Sequence, residues 1–204
     1  MSLRKPMSLR KPMSLRKPMS LRKPMSLRKP MSLRKKAATA AVIAALGGGI
    51  ALGTTPASAD AGSGYVSGQG SINDDWGDEG LLSTASHAHS NATALWQAVL
   101  WADGNLAYSD VDCWFGAGTK TATQNWQRAR SLPADGIVGK NTFGKNDSKL
   151  SFSHYEGNFE IHKYDGTKHD FWIKRTKGGG AHYIQVSTRV GFKAASYTSA
   201  SACG

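Results

Sequence analysis

The chain has 204 residues, with 26 Lys and Arg against 14 Asp and Glu, a formal charge of +12 and a pI near 9.9. Taken whole, that balance points to nucleic acid, an anionic membrane or a wall polymer. Its distribution argues against a nucleic-acid partner: residues 1–36 hold 13 of the 26 basic residues, all six Met and no acid, while residues 37–204 carry 13 basic against 14 acidic residues, a formal −1.

Residues 1–36 are five copies of MSLRKP and a sixth, altered copy, MSLRKK. A segment without apolar periodicity cannot bury a core. The repeat reads as an overgrown basic n-region, with Met31 opening the original leader. A polybasic arm is the other reading, and a start at Met1 or Met31 stays open. Residues 37–59 then supply an apolar Ala- and Gly-rich run and a "TTPASAD" site, in which Ala57 and Ala59 frame cleavage before Asp60. The run is too short and too weakly hydrophobic for a membrane span, so the expected membrane contact is through the signal peptide before cleavage. The expected product is secreted, extracellular or wall-associated. Its two cysteines, Cys113 and Cys203, predict one disulfide, because an even count in a secreted chain favours pairing. Two free thiols or an intermolecular pair are the alternatives.

Residues 60–90 are rich in Gly, Ser and acid (Asp60, Asp74, Asp75, Asp78, Glu79) and lack Lys and Arg, which predicts a linker or loosely packed arm. "NDDWGDEG" lacks the register of a calcium loop, so no metal is expected. Residues 91–150 read as helical. Ser90 or Asn91 can cap a helix through "NATALWQAVLWADG", with Leu95, Val99 and Ala102 on one stripe, Trp96 and Leu100 beside it, and Gly104 as the stop. A second helix follows in "TKTATQNWQRAR", with Ala122, Trp126 and Ala129 facing inward. From residue 151 the period becomes two. "FEIHKY", "DFWIKR" and "AHYIQVS", separated by "DGTKH" and "TKGGG", predict an antiparallel meander of three or four strands. Phe159, Ile161 and Lys163 share one face of the first and Phe171 and Ile173 one face of the second, so one side of the sheet should be buried. The expected class is α+β: a small three-helix domain followed by this meander. Each piece is small enough to be marginal alone, so the two should pack together.

Within the helical region a single pattern occurs twice, 23 residues apart: "DCWFGAGT" from Asp112 and "DGIVGKNT" from Asp135. Each reads Asp, two residues, apolar, Gly, two residues, Thr. The expected roles are architectural: Asp112 and Asp135 open turns, Phe115 and Val138 enter the core, Gly116 and Gly139 adopt a conformation that other residues resist, and Thr119 and Thr142 cap helices. The segment resembles the small three-helix peptidoglycan-binding domain through Phe115-Gly116, Thr119, Ala122, Trp126-Gln127, Leu132, Asp135-Gly136, Val138-Gly139 and Thr142-Phe143. Trp96-Gln97 and Leu100 fit the family's first helix. Three departures stand out: Cys113 and Ser131 where the pattern has Gly, and Asn146 where it has Leu, which suggests a short third helix.

The resemblance implies a peptidoglycan partner, glycan or stem peptide, and no cofactor. Contact with such a ligand needs an aromatic platform and hydrogen-bonding groups along a groove. Tyr108, Trp114, Gln124 and Arg128 are the candidates. A protein-recognition or inhibitor role for residues 151–204 is an alternative, and so is a zinc amidase or peptidase. Six His invite the latter, but "SHYEGNFEIHKYDG" has Phe152 and Ile161 where the zinc carboxypeptidase pattern has Ser and Asp. Glu156 and Glu160 would matter only beside a sugar cleft. The expectation is a non-catalytic wall-binding protein.

Overall fold

The computed structural model describes residues 61–204. The basic repeat, the apolar run and the cleavage site at Ala57, Ala59 and Asp60 lie outside the described residues. The fold is α+β, with helices α1 (Asn91–Ala102), α2 (Ala117–Ala129) and α3 (Lys140–Gly144) preceding most of the sheet.

Ser90 caps α1 by accepting from the Thr93 N–H at 3.0 Å. The next two orphan N–H groups find the C-terminal segment instead: Asn91 N donates to Ser199 O and Ala92 N to Ser196 O. The Asn91 side chain continues this seam, donating to Ala194 O and accepting from Ala202 N. The Cys113–Cys203 disulfide closes beside it, with Cα atoms 6.0 Å apart. The chain end is thereby fixed over the start of α1. Except for Trp101, every residue of α1 is buried. The predicted stripe is therefore too narrow: the helix is enclosed on all sides, and its end at Ala102 is followed by Gly104 at φ 78°.

Four strands form the predicted meander, β2 (Leu150–Glu156), β3 (Phe159–Asp165), β4 (Asp170–Thr176) and β5 (Gly180–Ile184). Two short strands, β1 (Ser67–Gly68) and β6 (Lys193–Ala194), add to β5 and make a six-stranded antiparallel sheet. Strand β2 is left as an edge. Registers His162↔Ile173, Tyr164↔Phe171 and Ile173↔Ile184 define the core face. On β3 that face is Glu160, His162 and Tyr164, so Phe159, Ile161 and Lys163 lie on the opposite side. The expected grouping of these three residues holds, but the β3 face that meets the core is the more polar one, and Ile161 is buried on the other.

The β3–β4 turn docks on the end of α1. Ala102 O accepts from Lys168 N and His169 N, and a Cβ at Gly166 would lie 2.6 Å from that same carbonyl oxygen. Only glycine permits this approach. Trp126, Trp96, Phe143, Trp76, Tyr164 and Phe171 then form an aromatic chain from helices to sheet, with successive centroids 5.0 to 6.1 Å apart.

The predicted linker is instead integral to this core. Val66, Trp76 and Leu82 are wholly buried, β1 pairs with β5, and Leu82 pairs with Val138. Composition missed it because a few large side chains, Trp76 above all, bury what the glycines and serines around them cannot.

Candidate functional site

Two glutamines organise the helical region. Gln97, on α1, donates through Nε2 to Asp112 Oδ1, Trp114 O and Thr119 Oγ1, and its Oε1 accepts from Asp112 N and Cys113 N. Gln127, on α2, repeats the arrangement on Asp135 Oδ1, Ile137 O and Thr142 Oγ1, with Gly136 N as donor. Both glutamines are buried. Each Asp closes the expected turn by accepting from the N–H two residues on, at 2.9 Å. Phe115 and Val138 are buried as expected.

Two expected roles within the motif are corrected. Gly116 and Gly139 have extended backbone at the N-caps of α2 and α3, with no positive φ. The left-handed conformation falls one residue after each Asp, on Cys113 (φ 66°) and Gly136 (φ 73°). Thr119 and Thr142 lie inside the helices and bond back to the Trp114 and Ile137 carbonyls instead of capping. The glutamines' role went unread in the sequence, although the repeated Trp-Gln pair at 96–97 and 126–127 was its signal.

A groove of about 500 Å³ runs along α2 and the 105–110 segment that precedes it. Asn105, Asp110, Thr121 and Asn125 supply its polar groups, and Leu106 and Ala122 some of its apolar surface. The four predicted contact residues do not converge there. Arg128 reaches its end, bonded to Asn125 Oδ1 at 2.5 Å. Gln124 packs over Gly136. Trp114 is 55 % exposed and stacks on His89 at 4.1 Å. Tyr108 turns the other way, set edge-on to Trp101 and donating its hydroxyl hydrogen to Val186 O. Ala129, expected inward, is exposed.

The histidines disperse as well. His87 packs on Tyr197 and His169 stacks on Trp101, while His154 is exposed. Among the described residues no group of three or more His, Cys, Asp or Glu is placed to hold a metal ion. Glu156 pairs with Lys174 and Glu160 with Arg175.

A polar cluster lies between the sheet and the N-terminal arm. The Trp76 indole N–H donates to His182 Nδ1, which sets the tautomer in which His182 Nε2–H donates to Asp75 Oδ2 at 2.8 Å. Arg175 donates to Asp75 Oδ2 and Glu160 Oε2. A Cβ at Gly68 would sit 1.9 Å from Asp75 Cγ, so glycine closes the roof. Burial holds the neighbouring His162 below the ordinary imidazole value. Asp75, Arg175 and His182 are buried and bonded to one another, while Glu160 closes the cluster at a partly exposed edge.

Residues 90–145, which span all three helices, match the family described as "Putative peptidoglycan binding domain". That family is a binding domain. No curated protein and no solved structure gives a match. The arm and the sheet lie outside the matched segment.

Proposed function

We propose that this is a secreted, non-catalytic bacterial protein that binds peptidoglycan through the groove along α2. The observation that carries the proposal is the family match over residues 90–145, a segment whose paired glutamine-anchored turns are intact. Asn105, Thr121 and Asn125 offer hydrogen bonds to sugar hydroxyls or amides, Asp110 accepts, and Arg128 adds a cation at the groove's end. Trp114, exposed in the turn before α2, supplies an aromatic face. Removal of residues 1–59 on export leaves a chain without the basic leader, so binding would rest on shape and hydrogen bonding more than on charge.

The test is cosedimentation with purified sacculi, using the full chain and the form beginning at Asp60, at low salt and at high salt that suppresses charge binding. Both should be retained above a control protein. Loss of retention by the shorter form would overturn the groove reading and leave the basic repeat as the binder. Wall lysis abolished by a chelator would overturn the non-catalytic reading. Mass measurement of the secreted species tests export, by fixing cleavage before Asp60.

A second reading has its own observation. Edge strand β2 exposes Phe152 and Tyr155, whose rings meet at 4.8 Å with Lys177 over the latter. An exposed aromatic edge suits recognition of a protein strand.

A further inference from the structure

The helices and the sheet enclose a second cavity, of about 290 Å³, on the other side of the same connection that borders the groove. Residues 105–111 separate the two. Asn105, Leu106, Ala107 and Asp110 face the groove, whereas Tyr108 and Val111 line the cavity.

The cavity exists because β4 and β5 diverge. Their pairing ends at Ile173↔Ile184, so residues 170–172 of β4 have no β5 partner, and the chain after Ile184 leads away through Gln185 and Val186. Trp101 from α1, Tyr108, Phe171, Trp172 and Phe192 wall the resulting gap. Trp101 is held by His169, parallel to it at 4.7 Å, and by the edge of Tyr108 at 5.0 Å. Trp172 is 48 % exposed, leaving ring surface for a ligand. Asp170 and Gln185 bring a carboxylate and an amide to this apolar site.

We infer that this cavity binds one N-acetylhexosamine ring of a glycan strand whose neighbouring sugars lie in the groove. The inference rests on the wall-binding reading for its choice of polymer. Aromatic walls fit the apolar C–H faces of a pyranose, and a few polar groups fix its hydroxyl edge. The acetamido group suits the same mixture, its methyl against Ala98 or Val111 and its amide opposite Gln185. At about 300 Å³, the low end for ligand pockets, the cavity has room for one ring and not for an extended peptide. A strand that crosses the shared 105–111 connection would reach both sites.

The experiment titrates the isotope-labelled full chain with a soluble N-acetylglucosamine trimer, with cellotriose, which lacks the acetamido groups, and with a stem peptide. The trimer should shift the resonances of Trp101, Tyr108, Trp172 and Gln185, and cellotriose should bind more weakly. Trp172→Ala, at an exposed position, and Gln185→Ala should each weaken the trimer roughly tenfold, as loss of a stacking face or an amide contact would. Three results would overturn the inference: no shift at the cavity, a cavity filled by stem peptide but not sugar, or equal binding of the two sugars. Trimer shifts confined to Asn105, Thr121 and Asn125 would do so while leaving the wall-binding proposal standing. Failure of sacculus retention together with trimer binding at the cavity would instead remove the groove and keep the cavity as a sugar site.

Discussion

Gln127 shows how much one side chain can organise here. Its amide is 1 % exposed and holds Asp135, Gly136, Ile137 and Thr142 in one knot. Replacement by Leu keeps the volume but strands a buried Gly136 N–H. We expect Gln127→Leu to cost about 3 kcal/mol, from a buried group left unsatisfied and several bonds lost, measured by urea unfolding. A loss below about 1 kcal/mol would mean water replaces the amide. The two departures from the family's Gly pattern point the other way. Cys113 and Ser131 occupy the left-handed region at φ 66° and 57°, where a side chain costs about 1–2 kcal/mol. At Cys113 the disulfide depends on the side chain. Ser131 has no such duty, so Ser131→Gly should stabilise by about 0.5–1 kcal/mol after the extra chain entropy of glycine is subtracted. An unchanged or lower midpoint in thermal unfolding would show that the local backbone is unstrained.

Between elements, Asp103 is the joint. Directly after α1, it accepts from the Trp126 indole at 2.7 Å and the Arg130 guanidinium at 2.6 Å on the helical side, and from Thr167 N and Oγ1 at 3.0 Å on the sheet side, with the Tyr164 hydroxyl 3.0 Å away. Burial raises its carboxyl, but the donation from Trp126, Thr167 and Arg130 outweighs this and holds it below the usual carboxylate value. In Asp103→Asn one acceptor oxygen becomes an amide donor facing donors. We expect a loss of about 3–5 kcal/mol, the range for breaking a buried charged contact, with helix and sheet signals still falling together because they share one core. Two separated transitions would contradict that sharing. Helix positions, meander strands, turns and the disulfide pair were legible because each rests on local periodicity, turn chemistry or a count of two. Asp103 was not, since its partners come from residues up to 64 positions away. Asn146 was half legible: it marked a short α3, five residues long, but its reason is long-range, the Tyr164 hydroxyl donating to Oδ1 at 2.7 Å while its amide bonds the Thr142 and Phe143 carbonyls. The candidate site was less legible than the fold. Arg128 meets the groove through Asn125, Trp114 is exposed in the turn before α2, and Tyr108 faces a cavity that only the returning sheet creates.

For the molecule as a whole, the carboxylates of the N-terminal arm and its contacts set the dependence of stability on pH. Burial pushes Glu79 up to about 8, despite bonds from the Tyr197 hydroxyl at 2.5 Å and Ser67 N at 2.8 Å. Burial, reinforced by the charges of Asp75, Asp74 and Asp78, raises Asp147 to about 6. Both groups bind protons more tightly in the folded than in the unfolded chain. Their contribution is fully present below pH 4, and is lost as pH rises through about 6 and then about 8. Asp103, held low, acts oppositely, and its contribution is lost in stronger acid. Stability should therefore peak in the mildly acidic range and fall toward pH 8.5. Glu79→Gln removes the titration and mimics the protonated acid: its one carbonyl oxygen can still accept from Ser67 N, while its amide N–H donates toward the Tyr197 hydroxyl, which then accepts. We expect it to match the parent near pH 5 and to exceed it by about 2–4 kcal/mol near pH 9, on the order of three pKa units of linkage. Unfolding midpoints across that range decide the matter. Parallel curves for parent and variant would mean that Glu79 is ionised in the folded state throughout, and that the arm opens to water around it.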